Sequence, residues 1–410
     1  MRDEPIAKDL VLIGGGHAHV HVLKSFGMHP MPGVRLTLIA RDVETPYSGM
    51  LPGFIAGHYA REECHIDLAP LARFANAQLI HDEAIGLDIA RRRIACRGGA
   101  EIAYDVTSID IGSTPNLSAI PGAAEHAIPL KPIDSLAARW QRVIERVTES
   151  AGPVRFLMVG GGAAGVEVSL AMRHRMRGLL ARIGRDPDAV GFSIITTGEI
   201  LDSYPTLVRR WFRRLLADRG VALIEHATVT AVEPDAVLCA DGRRVAYDEL
   251  IWATEAGAAP WLASSGLQLD DRGFIKVDAT LRSVSDPHVY AAGDVAANVD
   301  HPRPKAGVFA VRQGPPLADN LRRALAGDAP KAFRPQRNFL SLISTGNRYA
   351  IGSRGHFAMR GALLWRLKDW IDRRWMRSYQ QLPNKGEALP VAPVGQSGSS
   401  PAQRHPAADR

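Results

Sequence analysis

The sequence of 410 residues predicts an α/β fold with two Rossmann-like dinucleotide-binding domains, the first interrupted by the second, plus a small C-terminal region. Three observations support this prediction. A glycine turn follows an apolar strand near the N-terminus, the same arrangement recurs in the middle of the chain, and a later strand ends in Gly-Asp. Strands that alternate with helices in this way are typical of doubly wound parallel sheets.

The first glycine turn lies in the stretch DLVLIGGGHAHVHV, residues 9–22. An apolar run ends in three glycines, and apolar residues then follow at helical spacing. Gly14 permits the turn, and Gly16 lets the backbone approach a pyrophosphate that faces the N–H groups at the start of the helix. His19 stands where the third glycine of G-x-G-x-x-G belongs, so the motif alone is weak evidence.

The second copy begins with an apolar strand at 154–159 and continues with GGGAAG at 160–165, a complete motif that opens a helix. The two copies share three further elements in the same order. A second strand is predicted at 34–40 in the first copy and at 192–196 in the second. A strand pair follows, at 78–87 with 89–98 and at 221–232 with 236–240, and then a Tyr-Asp pair before a buried strand, at 104–111 and at 247–254. Cys96 and Cys239 precede these tyrosines by the same eight residues, which favours packing roles for both. The repeat predicts two units of one design.

After the second copy the chain returns to the first unit. Strands are predicted at 273–277 and 289–292, and the latter runs into Gly293-Asp294, where a carboxylate can accept hydrogen bonds from sugar-alcohol hydroxyls. The predicted organisation is a first domain at 1–125 and 261–332, a second domain at 126–260, a C-terminal β unit with an amphipathic helix at 333–383, and a disordered tail at 384–410.

Composition and charge exclude several other classes of protein. The net charge of +7 comes partly from a basic cluster between residues 360 and 377, and the sequence has no aromatic-interleaved basic motif of a nucleic-acid module. Residues 1–8 lack the apolar core of a secretory signal, and no run approaches the ~20 apolar residues that cross a bilayer. Three scattered cysteines fit a reducing cytosol, and no metal site is predicted. We therefore expect a cytoplasmic protein that binds no nucleic acid.

Several segments resemble a known family. GGGHAHV, TPYSGMLPG, AAGDVA and RPKAGVFAVRQGPPLADNLRRAL, together with the two nucleotide units, resemble the pyridine nucleotide-disulfide oxidoreductase superfamily over residues 10–380. Within it the sequence is similar to the branch of type II NADH dehydrogenases and sulfide:quinone oxidoreductases. More closely still, it resembles the flavoprotein module fused ahead of selenide, water dikinase in some bacteria. The C-x-x-x-x-C pair of the disulfide branch is absent from the loop at 45–57, so electron transfer through an internal disulfide is not expected.

The resemblance implies FAD in the first domain and NAD(P)H in the second. The pyrophosphate would lie at the first glycine turn, the ribityl chain at Gly293-Asp294, and the isoalloxazine between the 50–53 loop and the 305–308 segment. Lys305 is the candidate catalytic residue, as a cation beside the flavin; the alternative is a surface lysine. The predicted FAD-binding residues are Gly14, Gly16, His17, Ala18, Arg41, Met50, Leu51, Gly112, Gly293, Asp294, Gly307 and Val308, and those predicted for NAD(P)H are Gly160, Gly162, Gly165 and Glu167.

The leading hypothesis is a flavin dehydrogenase that takes hydride from NAD(P)H and passes electrons to a quinone-like acceptor, with the cofactors supplying the difficult chemistry. Two alternatives stay open: chalcogen chemistry on sulfide or selenide that involves Cys64, and a redox sensor that turns over slowly. Glu199 would favour NADH if it reaches a ribose 2′-hydroxyl, whereas Arg209 and Arg210 would favour NADPH. We expect NADH.

A helix predicted at 359–380 is the candidate for contact with a membrane surface. Its apolar side chains recur at helical spacing, and basic residues occupy much of the remaining face. The apolar stripe consists of Leu363, Leu364, Leu367, Trp370, Ile371 and Trp375, and the basic face of Arg366, Lys368, Arg373, Arg374 and Arg377. Such a helix can lie in the headgroup region, which would suit a lipid-soluble acceptor. The alternative is that the stripe packs on the protein's own core. The sequence also leaves a homodimer open.

Overall fold

The computed structural model describes residues 6–115, 117–131, 133–150, 152–254 and 256–383, so the predicted disordered tail at 384–410 lies outside the described residues. The α-helices within the described ranges are α1 (His17–Met28), α2 (Leu51–Ile55), α3 (Arg61–Cys64), α4 (Leu68–Ala75), α5 (Ala123–His126), α6 (Ile133–Glu149), α7 (Ala163–Arg182), α8 (Thr206–Asp218), α9 (Gly307–Ala326) and α10 (Ala362–Gln380).

The strands follow the repeat that the sequence predicts. Those before the second glycine turn are β1 (Lys8–Ile13), β2 (Val34–Ala40), β3 (Glu44–Pro46), β4 (His65–Asp67), β5 (Gln78–His81), β6 (Ala84–Asp88), β7 (Arg93–Cys96), β8 (Glu101–Ala103), β9 (Val106–Ile109), β10 (Thr114–Pro115) and β11 (Ile128–Pro129). Those after it are β12 (Val154–Val159), β13 (Val190–Ile195), β14 (Val221–Ile224), β15 (Val229–Val232), β16 (Ala236–Cys239), β17 (Arg244–Ala246), β18 (Glu249–Trp252), β19 (Ala256–Gly257), β20 (Ile275–Val277), β21 (Val289–Ala291), β22 (Ala296–Asn298), β23 (Ser341–Thr345), β24 (Asn347–Arg354) and β25 (Phe357–Gly361).

Two parallel five-stranded sheets form the centre of the molecule. The first has the order β21–β9–β1–β2–β5 and the second has the order β11–β18–β12–β13–β14. Their strands are nearly continuous apolar runs because helices cover both faces; residues 10–13 of β1, for example, are at most 1% exposed. Strand β21, which follows every strand of the second sheet in sequence, completes the first sheet. The predicted fold class is therefore confirmed, while the domain boundaries at 125, 260 and 332 stay predictions.

Two of the predicted strand pairs are wrong in detail. The segments at 78–87 and 221–232 are each divided between a parallel strand and a strand of a separate antiparallel sheet, β6–β7–β8 or β15–β16–β17. In the first unit the carboxylate of Asp82 accepts the N–H groups of Glu83 and Gly98, which turns the chain after β5. In the second unit His226 adopts a left-handed conformation with φ 54°, which interrupts the strand after β14.

The C-terminal unit is an antiparallel sheet, β23–β24–β25, followed directly by α10. Met359 pairs with Gly352 in this sheet, so the helix begins at Ala362 and not at Met359 as predicted. Gly346, in the turn between β23 and β24, has φ +86° and presses on α7, where a Cβ would lie 2.2 Å from the carbonyl oxygen of Leu170. Within the described ranges, no helix combines the length and apolar character needed to cross a membrane.

Candidate active site

The carboxyl ends of three parallel strands meet beside the first glycine turn. Strand β1 leads into Gly14, β9 into Asp110 and Gly112, and β21 into Gly293-Asp294. Gly14 has φ +90°, and a Cβ there would lie 2.5 Å from the carbonyl oxygen of Asp110, so only glycine fits. In open α/β sheets, the crevice at the carboxyl ends of the strands is where ligands bind.

His19, which replaces the third glycine, is fully buried behind this turn. Its Nδ1 lies 2.7 Å from the carbonyl oxygen of Gly14, and its Nε2 lies 2.8 Å from the hydroxyl of Ser108. Because a carbonyl only accepts, we assign the proton to Nδ1, and Ser108 then donates to Nε2. Burial lowers the pKa of His19 to about 4, so the imidazole is neutral and ties the turn to β9.

Asp110 is a buried site residue that the sequence analysis missed. Its Oδ2 accepts the backbone N–H groups of Ala18 at 2.9 Å and of His19 at 3.2 Å, in the first turn of α1. Burial raises its pKa to about 7, although the two N–H groups act in the opposite direction. The only signal in the sequence was a charged residue at the end of a predicted buried strand, VTSIDIG.

His17 begins α1 and is half-buried, with a ring nitrogen that is itself buried. Its Nε2 has no hydrogen-bond partner among the described residues. Burial lowers the pKa of His17 to about 4; the nearby charge of Asp294 acts against this and that of Lys131 adds to it. Its ring also contacts the rings of Tyr47 and Trp375, with centroids 5.5 and 5.4 Å away. A buried, unsatisfied nitrogen between charged groups fits a site that holds a polar ligand.

Asp294 is held as an ionised acceptor. Its Oδ2 lies 2.5 Å from Nζ of Lys131 and accepts the Ser113 hydroxyl at 3.0 Å. Burial acts to raise the pKa of Asp294, but Lys131 and Ser113 together bring it below its usual value. Lys131 follows β11, and nothing in its sequence context had indicated a role in the site.

Lys305 does not contact Asp294 directly. Its Nζ donates to the carbonyl oxygen of Ala296 at 2.6 Å and lies 3.9 Å from the centre of the Phe274 ring. Burial lowers the pKa of Lys305 to about 8, and the negative charge of Asp294 offsets this in part. The cation that pairs with Asp294 is therefore Lys131, and the catalytic role of Lys305 stays a prediction.

The other residues predicted for FAD divide into two groups. Met50, in the loop before α2, and Leu51, the first residue of α2, are both buried. Gly307 begins α9 beside this loop, and a Cβ on Gly307 would lie 2.8 Å from Oγ of Ser48. Val308 follows in the first turn of α9. Gly112 has φ +71° and open space around it. Arg41, in contrast, is exposed after β2 and pairs with Asp42 at 2.7 Å.

The second glycine turn is more open than the first. Gly160 has φ +124°, and Gly165 packs so closely that a Cβ would lie 2.0 Å from the carbonyl oxygen of Gly160. A Cβ at Gly162 would meet no atom within 4 Å, which leaves room for a ligand at the N-terminus of α7. Glu167 is different, because its carboxylate accepts the backbone N–H of Ser344 in β23 at 2.7 Å and so faces the C-terminal unit.

A buried charged cluster connects this carboxylate to α10. The Lys368 side chain is largely buried; its Nζ donates to the carbonyl oxygen of Gly49 at 2.5 Å and to Asp372 at 2.8 Å. Tyr47 forms a hydrogen bond with the same Asp372. Burial raises the pKa of Glu167 to about 7, and the charge of Lys368 limits the rise. The cluster was invisible in the sequence because its members lie on three distant segments.

Comparison with known proteins agrees with this geometry. The model of the family described as pyridine nucleotide-disulphide oxidoreductase matches residues 8–314. The chain is 23% identical over 352 residues to the NADH dehydrogenase-like protein YutJ of Bacillus subtilis, covering 84% of this chain and 92% of that protein. It is 27% identical over 237 residues to an internal alternative NAD(P)H-ubiquinone oxidoreductase of Solanum tuberosum, covering 54% of this chain and 48% of that protein.

Solved structures agree at the level of the fold. NDH2 from Plasmodium falciparum in complex with NADH superposes with a TM-score of 0.77 at 14% identity, covering 91% of this chain and 97% of that chain. The sulfide:quinone oxidoreductase of Aquifex aeolicus gives 0.76 at 19% identity, covering 92% of each chain. With a family model that matches most of its length, the chain belongs to the pyridine nucleotide-disulphide oxidoreductase family.

Proposed function

We propose that this protein is an FAD-dependent NAD(P)H oxidoreductase that delivers electrons to a quinone-like acceptor, with NADH as the preferred donor. The observation that carries the proposal is the convergence of Gly14, Gly112 and Gly293-Asp294 at the carboxyl ends of β1, β9 and β21. Membership of the family supports FAD and NAD(P)H as the cofactors. The names of the relatives in Bacillus and Solanum support a nicotinamide donor, and the latter name also supports a quinone.

The residues at the first turn fit FAD. The N-terminus of α1, with Gly14, Gly16 and Ala18, would hold the pyrophosphate, and the ionised Asp294 would accept hydrogen bonds from the ribityl hydroxyls. The buried Nε2 of His17, which has no partner among the described residues, would gain a hydrogen bond to the cofactor. The bound flavin supplies the capacity to accept hydride from NAD(P)H and to pass electrons onward. The buried Met50–Leu51 segment would exclude water from one side of the flavin.

The second turn fits the nicotinamide nucleotide. Gly162 leaves open space where the pyrophosphate of NAD(P)H would meet the N-terminus of α7. Two of the residues that bear on the choice of NADH or NADPH, Glu199 and Arg209, form an ion pair with each other. Glu199 also lies 3.5 Å from Arg213. This pairing makes Arg209 less available for a 2′-phosphate and engages Glu199 as well, and NADH stays the expected donor. Comparing kcat/KM for the two donors tests this preference.

The Glu167–Lys368–Asp372 cluster supports a quinone-like acceptor, because reduction of a quinone consumes protons as well as electrons. A carboxyl with a pKa of about 7 can both bind and release a proton near neutral pH. We therefore expect Glu167→Gln to lower steady-state NADH oxidation with a water-soluble quinone while leaving reduction of the flavin by NADH intact. Equal losses in both assays would show that Glu167 has no separate role in acceptor reduction. Glu83→Gln, which changes an exposed ion pair with Arg97, is the matched control.

The environment of Cys64 argues against the alternative of chalcogen chemistry. This residue ends α3 and is only 3% exposed. Burial, and to a smaller extent the negative charge of Glu63, raises the pKa of its thiol to about 12, so very little thiolate forms at neutral pH. Cys96 and Cys239 are also buried in their hairpins. The link to selenium chemistry, the cytoplasmic location and the homodimer stay predictions.

We further propose that α10 and the end of β25 rest on a membrane surface. The apolar stripe does not pack as a whole on the protein: Leu364 is buried, whereas Leu363 is 77% exposed and Trp370 is 54% exposed. Further exposed apolar side chains lie on or next to the same helix, namely Phe357, Met359, Leu367 and Ile371. The predicted basic face is wrong in one respect, because Lys368 points into the buried cluster. The side of α10 that faces the protein includes the ionic pair of Lys368 and Asp372, and several apolar side chains of the helix remain exposed.

Flotation of the purified protein with anionic liposomes tests this surface. We expect Leu363→Asp and Trp370→Asp to release the protein from the liposomes, because each puts a charge into the apolar face. Leu207→Asp on α8 changes another exposed leucine, 42% exposed, and should leave binding unchanged. Unaltered flotation of the two α10 variants would exclude this face as the contact.

A further inference from the structure

The two glycine turns differ at two positions that contact each other. The backbone N–H of Asp110 donates to Ile13 at 2.9 Å, and the N–H of Ala253 donates to Val159 at 2.8 Å, so these residues are equivalent in the two units. The third motif position is His19 in the first unit and Gly165 in the second. The first unit therefore carries a carboxylate and an imidazole where the second carries a methyl group and a hydrogen atom.

The carboxylate of Asp110 fills the space beside two of the glycines assigned to FAD. A Cβ at Gly16 would lie 2.2 Å from Oδ1 of Asp110, and a Cβ at Gly293 would lie 2.4 Å from the same oxygen. At the equivalent Gly162 of the second unit, the space is open. The absent side chains of Gly16 and Gly293 thus make room for Asp110 itself, and the carboxylate lies between the glycine turn and the Gly-Asp strand end.

Asp110 and a bound pyrophosphate would share one helix N-terminus. The carboxylate already accepts two N–H groups of the first turn of α1, from Ala18 and His19. Helix N-termini stabilise negative charge, but two anions at one terminus repel each other, and burial prevents water from screening them. A proton on Asp110 removes this repulsion.

We propose that Asp110 takes up a proton from solvent when FAD binds, so that the affinity for FAD falls as the pH rises. This inference rests on the proposed function, since it concerns the same cofactor site. Oδ2 accepts the two helix N–H groups, so the proton would reside on Oδ1, the oxygen next to Gly293. The transfer is simple protonation: one proton leaves solvent, and the carboxylate becomes a neutral acid.

The other ionisable groups around Asp110 respond differently to pH. His17 and His19 lie on α1, and burial lowers the pKa of each to about 4, so both stay neutral from pH 6 upward. Asp294, on the strand end opposite, has a pKa below its usual value and stays ionised, paired with Lys131. Lys305, near Asp294, has a pKa of about 8 and would also lose positive charge as the pH rises. Its contribution must be separated by a variant.

The test is a titration of the flavin-stripped, full-length protein with FAD, followed by quenching of flavin fluorescence, at pH 6 and pH 8.5. If the free protein titrates at about 7 and the complex above 8.5, linkage makes Kd at pH 8.5 up to about 30-fold higher than at pH 6. Asp110→Asn keeps an acceptor for the helix N–H groups without the charge, so its Kd should lose most of the pH dependence, and any dependence that remains measures Lys305. Lys305→Gln should retain the part of the pH dependence that comes from Asp110.

Each other outcome has a definite meaning. If FAD binds at neither pH, the proposed function is wrong. If FAD binds with the same Kd at both pH values, or if Asp110→Asn keeps the wild-type pH dependence, the proton uptake is wrong and the proposed function stands. Asp110→Ala, which copies Ala253 of the second unit, is the second variant should the asparagine not fold, and the wild-type comparison does not depend on either.

Discussion

Replacing Asp372 with asparagine removes one carboxylate from the buried cluster around Lys368. In the wild type the two side chains are i,i+4 neighbours on α10, 2.8 Å apart, and only 12% and 7% exposed. Removing one partner of a buried ion pair leaves the other charge uncompensated, which costs about 3–5 kcal/mol. Since Gly49 and Glu167 still stabilise the ammonium group, we expect the lower end of that range, about 3 kcal/mol.

Asp218→Asn is the matched control for this prediction. Asp218 is also an i,i+4 partner on a helix, but it lies 3.8 Å from Arg214 and the two side chains are 66% and 81% exposed. Pairs of this kind contribute less than about 1 kcal/mol, because water screens them. The two substitutions therefore make the same chemical change in opposite environments.

Thermal unfolding followed by circular dichroism, with flavin at saturation, is the assay. We expect Asp372→Asn to lower Tm by about 3–4 °C, and Asp218→Asn to leave it nearly unchanged. If the two variants lose the same stability, Lys368 does not depend on Asp372 and the cluster is not the buried ionic contact described above.

Three further predictions follow from named contacts. Asp294→Ala should yield largely flavin-free protein, because the acceptor paired with Lys131 is lost; full flavin absorbance after purification would argue against its role. Cys64→Ser should keep NADH:quinone turnover within about twofold, since the buried thiol is unreactive, and a collapse with the flavin intact would revive thiol chemistry. Gly346→Ala should lower Tm by several degrees, because its Cβ would collide with α7 and its φ is positive; an unchanged Tm would contradict this.

The sequence was sufficient for the overall plan and for the backbone of the site. Glycine turns after apolar strands and the Gly293-Asp294 strand end are local patterns, and each was found where the structure has it. The repeat supplied the order of the elements along the chain in both units, but not the order of the strands within each sheet. Local patterns work here because each depends on residues a few positions apart.

The parts of the site that the sequence did not predict depend on contacts between side chains that lie far apart in sequence. Asp110 contacts the first turn of α1 from the end of β9, and Lys131 contacts Asp294 from the segment after β11, a strand of the second sheet. The orientation of α10 was open because periodicity defines two faces but not which one is buried. The buried side of α10 combines apolar side chains with the ionic pair of Lys368 and Asp372. This combination depends on Glu167 and Gly49, which lie on distant segments of the chain.

The central claim is that FAD lies in the first domain and is reduced by a nicotinamide nucleotide from the second. Anaerobic titration of the purified protein with NADH, followed by visible absorbance, tests it most directly. We predict flavin bands in the untreated protein, their loss on addition of NADH in proportion to the flavin, and their return on addition of a quinone. A protein that neither contains nor binds FAD, or whose bound flavin neither NADH nor NADPH reduces, would contradict the account.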